Sequence, residues 1–144
     1  MIRRLSAVGL LTLLTAAALS VPARSIGQTK SSPRSPKMEA LLKERRDTLK
    51  KRLDTLAALV THPGTSYMEV LDAKEEFLRS ELELATTKSA RTELLKARVA
   101  NFTEAEEHCG AMKLAAKATD SAILWAKARR LQAEIDLELE IGAE

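Results

Sequence analysis

Leu41-Leu42-Lys43-Glu44-Arg45 returns 53 residues later, without a gap, as Leu94-Leu95-Lys96-Ala97-Arg98, and this recurrence decides the fold. The same offset carries Leu71-x-Ala73-Lys74 onto Leu124-x-Ala126-Lys127, and Leu78, Glu81 and Leu84 onto Leu131, Glu134 and Leu137. Residue type is kept at Val70/Ile123, Leu82/Ile135, Leu49/Phe102, Leu59/Met112, Asp54/Glu107 and Glu83/Asp136. A long ungapped self-match of this kind marks a tandem structural repeat.

Each copy divides into two helices at a turn. In the first copy Leu42, Leu49 and Leu56 form a heptad stripe flanked by Leu53 and Val60, and it stops at His62-Pro63-Gly64. Proline disfavours helix at the residue before it, and glycine is the common left-handed stop. Ser66-x-x-Glu69 then spells a capping box, opening a helix with Leu71, Leu78 and Ala85 at heptad spacing and Val70, Phe77 and Leu84 beside them. In the second copy Leu95, Phe102 and Cys109 run to a break at Lys117-Ala118-Thr119-Asp120, where Thr119 takes the place of Ser66. Leu124, Leu131, Ile135 and Ile141 follow as the expected core stripe of the last helix. Between the copies, Ala85-Thr86-Thr87-Lys88-Ser89 offers capping residues but neither Gly nor Pro. Two arrangements fit: a tight break giving four helices, or one continuous helix from 66 to 117, on the order of 75 Å long.

Composition agrees. Aromatic residues make up 3% of the chain, and Gly occurs after residue 64 only at 110 and 142, so the β-branched and aromatic runs of a sheet are missing. The expected class is all-α: two tandem antiparallel helical hairpins, in a four-helix or long-helix coiled-coil arrangement. The N-terminus begins with Arg3 and Arg4, continues through an apolar stretch from Leu5 to Leu19 and ends on Val21-Pro22-Ala23. A basic start, about 15 apolar residues and small residues before the cut describe a cleavable export signal, with cleavage expected after Ala23. Arg24 to Lys37 is rich in Ser and Pro and reads as a flexible linker. The domain organisation is thus a signal peptide at 1–23, a linker at 24–37 and a helical domain at 38–144, with hairpins at roughly 38–88 and 89–141.

The pI near 9.1 is not a nucleic-acid signature. Six of the 23 basic residues precede Met38, which leaves 17 Lys and Arg against 20 Asp and Glu in the helical domain. Nucleic acid is therefore excluded as a partner, and the basic character belongs to the leader and linker. The search for chemistry finds no catalytic site. His62 and His108 occupy non-equivalent places in the repeat, and no His or Cys spacing suits a metal, so neither a metal site nor another cofactor is expected. His108 and Cys109 are adjacent and point about 100° apart on a helix. Cys109 takes the place of Leu56 and reads as a buried core residue. The sequon Asn101-Phe102-Thr103 places its Phe on the core stripe and is set aside. An enzyme is not expected.

Gly64-Thr65-Ser66-Tyr67-Met68-Glu69-Val70-Leu71-Asp72-Ala73-Lys74, running into Leu78-x-x-Glu81-Leu82-Glu83-Leu84-Ala85, resembles the helical-hairpin repeats of the TolC-like outer-membrane efflux proteins. The resemblance covers roughly residues 41 to 141, and the second copy, Thr119 to Glu138, follows it more loosely. It implies the hairpin unit and placement in the periplasm or cell envelope, with association with efflux. It does not extend to a β-barrel, because no alternating segments of about ten residues are present. The functional expectation is an exported helical-hairpin binding or structural module of the cell envelope. The alternative is a small periplasmic helical chaperone or a stress or metal-response protein. Partners are expected to be another protein or a second copy, with membrane contact only through an assembly.

Three residues are candidate partner contacts. Tyr67 and Met68 lie beside the first turn; the turn ends, not the helix faces, are where a partner is expected to dock, and the Tyr67 ring either makes that contact or staples the turn onto its own hairpin. Trp125 replaces Asp72 next to the stripe and is either packed locally or exposed. Antiparallel pairing about Gly64 brings together residues whose numbers sum to roughly 127–129. That register predicts ion pairs Asp54–Lys74 and, in the second copy, Glu107–Lys127. The leader assignment predicts that N-terminal sequencing of protein from the cell envelope begins at Arg24; an intact Met1 in the membrane fraction contradicts it.

Overall fold

The computed structural model describes residues 34–62 and 66–142. The leader, most of the linker and the turn residues Pro63 and Gly64 lie outside the described residues. Four helices follow one another: α1 (Pro36–Leu59), α2 (Tyr67–Leu84), α3 (Lys88–Leu114) and α4 (Asp120–Gly142), with no strand among the described residues.

Local sequence sets each boundary. α1 starts earlier than the linker boundary at 37 predicts, because Ser35 caps it by accepting from the Met38 N–H at 3.2 Å and Pro36 occupies the first turn. Proline there lacks only a donor that would be unsatisfied anyway. The expected capping box opens α2: the Ser66 hydroxyl accepts from the Met68 N–H, and the Glu69 carboxylate accepts from the Ser66 N–H at 3.1 Å. Between the copies the tight break is what forms. Ala85 is extended (ψ 123°) and the Thr87 side chain caps α3 by accepting from the Ala90 N–H at 3.2 Å. α3 ends without glycine. Ala116 takes the left-handed conformation at φ 56°, its N–H bonds to the Lys113 carbonyl, and the Lys117 N–H reaches the Met112 carbonyl. That pair of bonds is the Schellman stop. Thr119 then caps α4 by accepting from the Ala122 N–H.

The helices pack in sequence order, α1 on α2, α2 on α3 and α3 on α4, and no other pair approaches closely. The hairpins therefore form an open series, with α1 and α4 as its two edges. This follows from burial: α1 has no fully buried residue, and Leu42, Leu49, Leu53, Leu56 and Val60 are all half-buried against α2. The two middle helices hold the core, with Leu71, Ala73 and Leu78 on α2 and Leu95, Phe102, Ala105 and Cys109 on α3.

Charged pairs record the hairpin register. Arg45, Arg46 and Arg52 of α1 pair with Glu83, Glu81 and Glu76 of α2, which keeps the residue-number sum within the expected range. The pairs named from the sequence are not the ones formed. Asp54 binds Lys50 within α1, and Lys74 reaches Glu104 of α3 at 3.5 Å. Glu107 and Lys127 are exposed and make no ion pair among the described residues. The register was right and the helix face was wrong, because Lys74 lies on the side of α2 turned to α3. The cross-hairpin pair that both copies keep is Arg45–Glu83 at 2.7 Å and its repeat equivalent Arg98–Asp136 at 3.2 Å.

Two backbone substitutions test this account of α3. A Cβ added at Gly110 meets nothing within 4 Å, so Gly110→Ala stabilises the fold by about 0.5–1 kcal/mol through helix propensity. Ala116→Gly relieves the left-handed stop and stabilises by a similar amount, about 0.5–1 kcal/mol. Urea unfolding midpoints measure both, and a loss of stability in either variant contradicts the assignment.

Candidate interaction face

The last helix departs most from expectation. Leu124, Leu131 and Ile135, read from sequence as core, are 65%, 44% and 52% exposed, and Leu139 is 66% exposed. Ile141 is exposed as well. In their place Ala126 and Ala133 are buried against α3.

The repeat explains the reversal. On α2, Leu71, Glu75 and Leu78 share one face, while Ala73 and Ser80 lie about 180° away at 100° per residue. Both faces of α2 are buried, because it sits between α1 and α3. The Glu75 and Leu71 side of α2 meets α3: Glu75 pairs with Arg98 there, and Asn101 donates to the Leu71 carbonyl at 2.9 Å. Carried forward by 53 residues, Ala73 and Ser80 become Ala126 and Ala133, the face that closes a hairpin. Leu71, Leu78 and Leu82 become Leu124, Leu131 and Ile135, the face that joins one hairpin to the next. Among the described residues no further helix packs on this face of α4. The stripe is apolar for the same reason as its equivalent on α2, and it is left uncovered.

The uncovered face is shaped and framed. Leu131, Glu134, Ile135, Glu138 and Leu139 line a shallow depression on α4. Trp125, nearer the start of α4, is 57% exposed. The Arg129 guanidinium lies 4.3 Å from the Trp125 ring and 4.6 Å from the Phe102 ring, and pairs with Asp72 of α2 at 2.6 Å. Trp125 is thus a braced surface residue, packed on one side and open on the other. Both alternatives drawn from the sequence hold in part.

Tyr67 has a different role. It donates to the Glu104 carboxylate, and its ring packs at a tilt of 57° against His108 with centroids 5.1 Å apart. The bond to Glu104, then burial, hold the phenol's pKa above its ordinary value, so this link persists through neutral pH. Tyr67 staples the first turn to α3 of the second hairpin, not to its own. Met68 beside it is half-buried.

A buried charge cluster sits behind these surfaces. Arg98 of α3 pairs with Glu75 of α2 at 2.8 Å, with both side chains nearly covered, and also reaches Asp136 of α4. Burial lowers the guanidinium's hold on its proton, and the bonds and charges of Glu75 and then Asp136 more than offset this, leaving the pKa raised. The sequence offered this cluster only in part, through the kept pairs Arg45/Arg98 and Glu83/Asp136; Glu75 has no charged equivalent in the second copy. Among the described residues no three His, Cys, Asp or Glu are grouped to hold a metal, and no helix is long and apolar enough to cross a membrane. Asn101 is buried and bonded to α2, which leaves no room there for a glycan. Comparison with family models, with curated proteins and with solved structures yields no match for this chain.

Arg98 supplies a prediction. Arg98→Met strands the Glu75 carboxylate in the interior and costs about 3–5 kcal/mol, whereas the paired change Glu75→Met with Arg98→Met recovers most of the loss. Asp136→Asn, on the more open side, costs about 1 kcal/mol or less. Chemical denaturation of the wild type, these three variants and Glu75→Met alone decides it, and additive losses in the double variant count against a buried pair.

Proposed function

We propose that the protein is a helical-hairpin binding module of the cell envelope, and that it works by presenting the outer face of α4 to a protein partner. One observation carries this: Leu124, Leu131, Ile135 and Leu139 form an uncovered apolar stripe on the helix face that, one repeat earlier, is an interface. Scattered apolar residues on a surface are ordinary, but a contiguous stripe with a charged rim marks an interaction site. Glu134, Glu138 and Lys127 supply the rim. The leader-like N-terminus supports placement in the envelope, and the resemblance to TolC-like hairpins supports efflux as one assembly such a module serves. The face offers no nucleophile, acid–base pair or metal ligands, so its chemistry is that of association.

A photo-crosslinking residue placed at Ile135 tests the proposal in the producing cell. Crosslinked adducts are expected from position 135 and not from Lys50 on the opposite edge of the series. No adduct from position 135 overturns the proposal. Because position 135 is exposed, Ile135→Asp is expected to shift stability by no more than about 0.5 kcal/mol while abolishing the association.

A further inference from the structure

We infer that the partner of the α4 face is a second copy of this chain, joined antiparallel through α4 about a two-fold axis between Leu131 and Ile135. The inference rests on the proposal that α4 presents a binding face, and it goes further by naming the occupant. It starts from two charges that make no ion pair among the described residues. Lys127 and Glu138 flank the stripe on the same side, and neither makes an ion pair among the described residues. They stand eleven residues apart, about 16 Å along the helix, so they cannot meet each other.

Two antiparallel copies related by a two-fold axis bring like edges together. Lys127 then falls opposite the partner's Glu138, and Glu138 opposite the partner's Lys127. The same register sets Leu131 against the partner's Ile135 and brings Leu124 within one helical turn of the partner's Leu139. One placement thus covers the four apolar residues and neutralises both unpaired charges twice over. Ala128 in the middle of the face, where α2 has Glu75, lets the two helices approach closely.

The other arrangement suggested by the repeat is head-to-tail stacking of α4 on the next copy's α1, and the charges oppose it. The α2–α3 seam uses Lys74 with Glu104 and Glu75 with Arg98. One repeat on, those places are held by Lys127 with Lys51 and by Ala128 with Arg45. One attraction becomes a repulsion, and the other loses its carboxylate. A closed pair is the outcome, not an open array.

The test is the sedimentation mass of the full chain with charge-swapped variants. The wild type is expected to be a dimer. Lys127→Glu and Glu138→Lys are each expected to weaken the dimer by about three- to thirtyfold, since each disrupts two symmetric pairs. The double swap is expected to restore wild-type affinity. That rescue requires contact between chains, because the two positions cannot touch within one. A monomer, a trimer, an open-ended series, or a dimer indifferent to the swaps overturns the inference. The crosslink at position 135 separates the two proposals. An adduct of twice the chain mass agrees with a second copy. An adduct of any other mass overturns the dimer while leaving α4 as a binding face, and no adduct removes both.

Discussion

The seam between the two hairpins is set by a buried charge. Arg98 and Glu75 are almost covered, and Arg98 also holds Asp136, so one guanidinium joins α2, α3 and α4. A buried pair of this kind contributes little net stability, since desolvation consumes most of the Coulomb attraction. Its consequence is positional. Any slip of α2 against α3 leaves a charge in the interior without its partner, at a cost of several kcal/mol. The apolar contacts of Leu71 and Leu78 tolerate a shift of one turn, and Glu75 does not. Tyr67 to Glu104 and Lys74 to Glu104 repeat the constraint nearer the turn, with weaker, more exposed groups.

This fixed seam makes the two hairpins unequal although their sequences are related. α2 is covered on two opposite faces and α4 on one. On α2 the leucines at 71 and 78 are removed from water; on α4 their equivalents stay in it. Burying such side chains stabilises by about 1.5–3 kcal/mol each when complete. A half-exposed stripe therefore forgoes on the order of 1 kcal/mol per residue. The chain keeps large aliphatic residues on α4 despite that loss, while the charged positions of the seam have changed, Glu75 to Ala128 and Asp72 to Trp125.

Much of the fold was legible because its signals are local. Ser66-x-x-Glu69 and Thr119 name their helix starts directly, Cys109 is buried where its place on the Leu95–Phe102 stripe puts it, and the register of the first hairpin follows from the turn position. The misses share one cause. A repeat alignment shows which positions correspond, but not how many neighbours each copy has. Leu124 and Leu131 inherited a core assignment from Leu71 and Leu78, although the helix that covers the first pair has no counterpart for the second among the described residues. The seam that does close the second hairpin, Ala126 and Ala133, carries small residues that a search for large apolar stripes passes over. Asp54–Lys74 failed in the same way, since Lys74 faces the neighbouring hairpin.

The two edges of the series complete the asymmetry. In stacked-repeat proteins the terminal units need a polar outer face, because nothing follows to cover it. α1 meets that requirement over its middle: the positions equivalent to the α2-contacting side of α3 are Arg45, Thr48, Lys51 and Thr55, all exposed and none of them large and apolar. α4 does not meet it, with Leu124, Leu131, Ile135 and Leu139 in the corresponding role at the other edge. Among the described residues the α1 edge is polar over its middle, with Met38, Leu41 and Leu59 exposed towards its ends, and the α4 edge is apolar along its length.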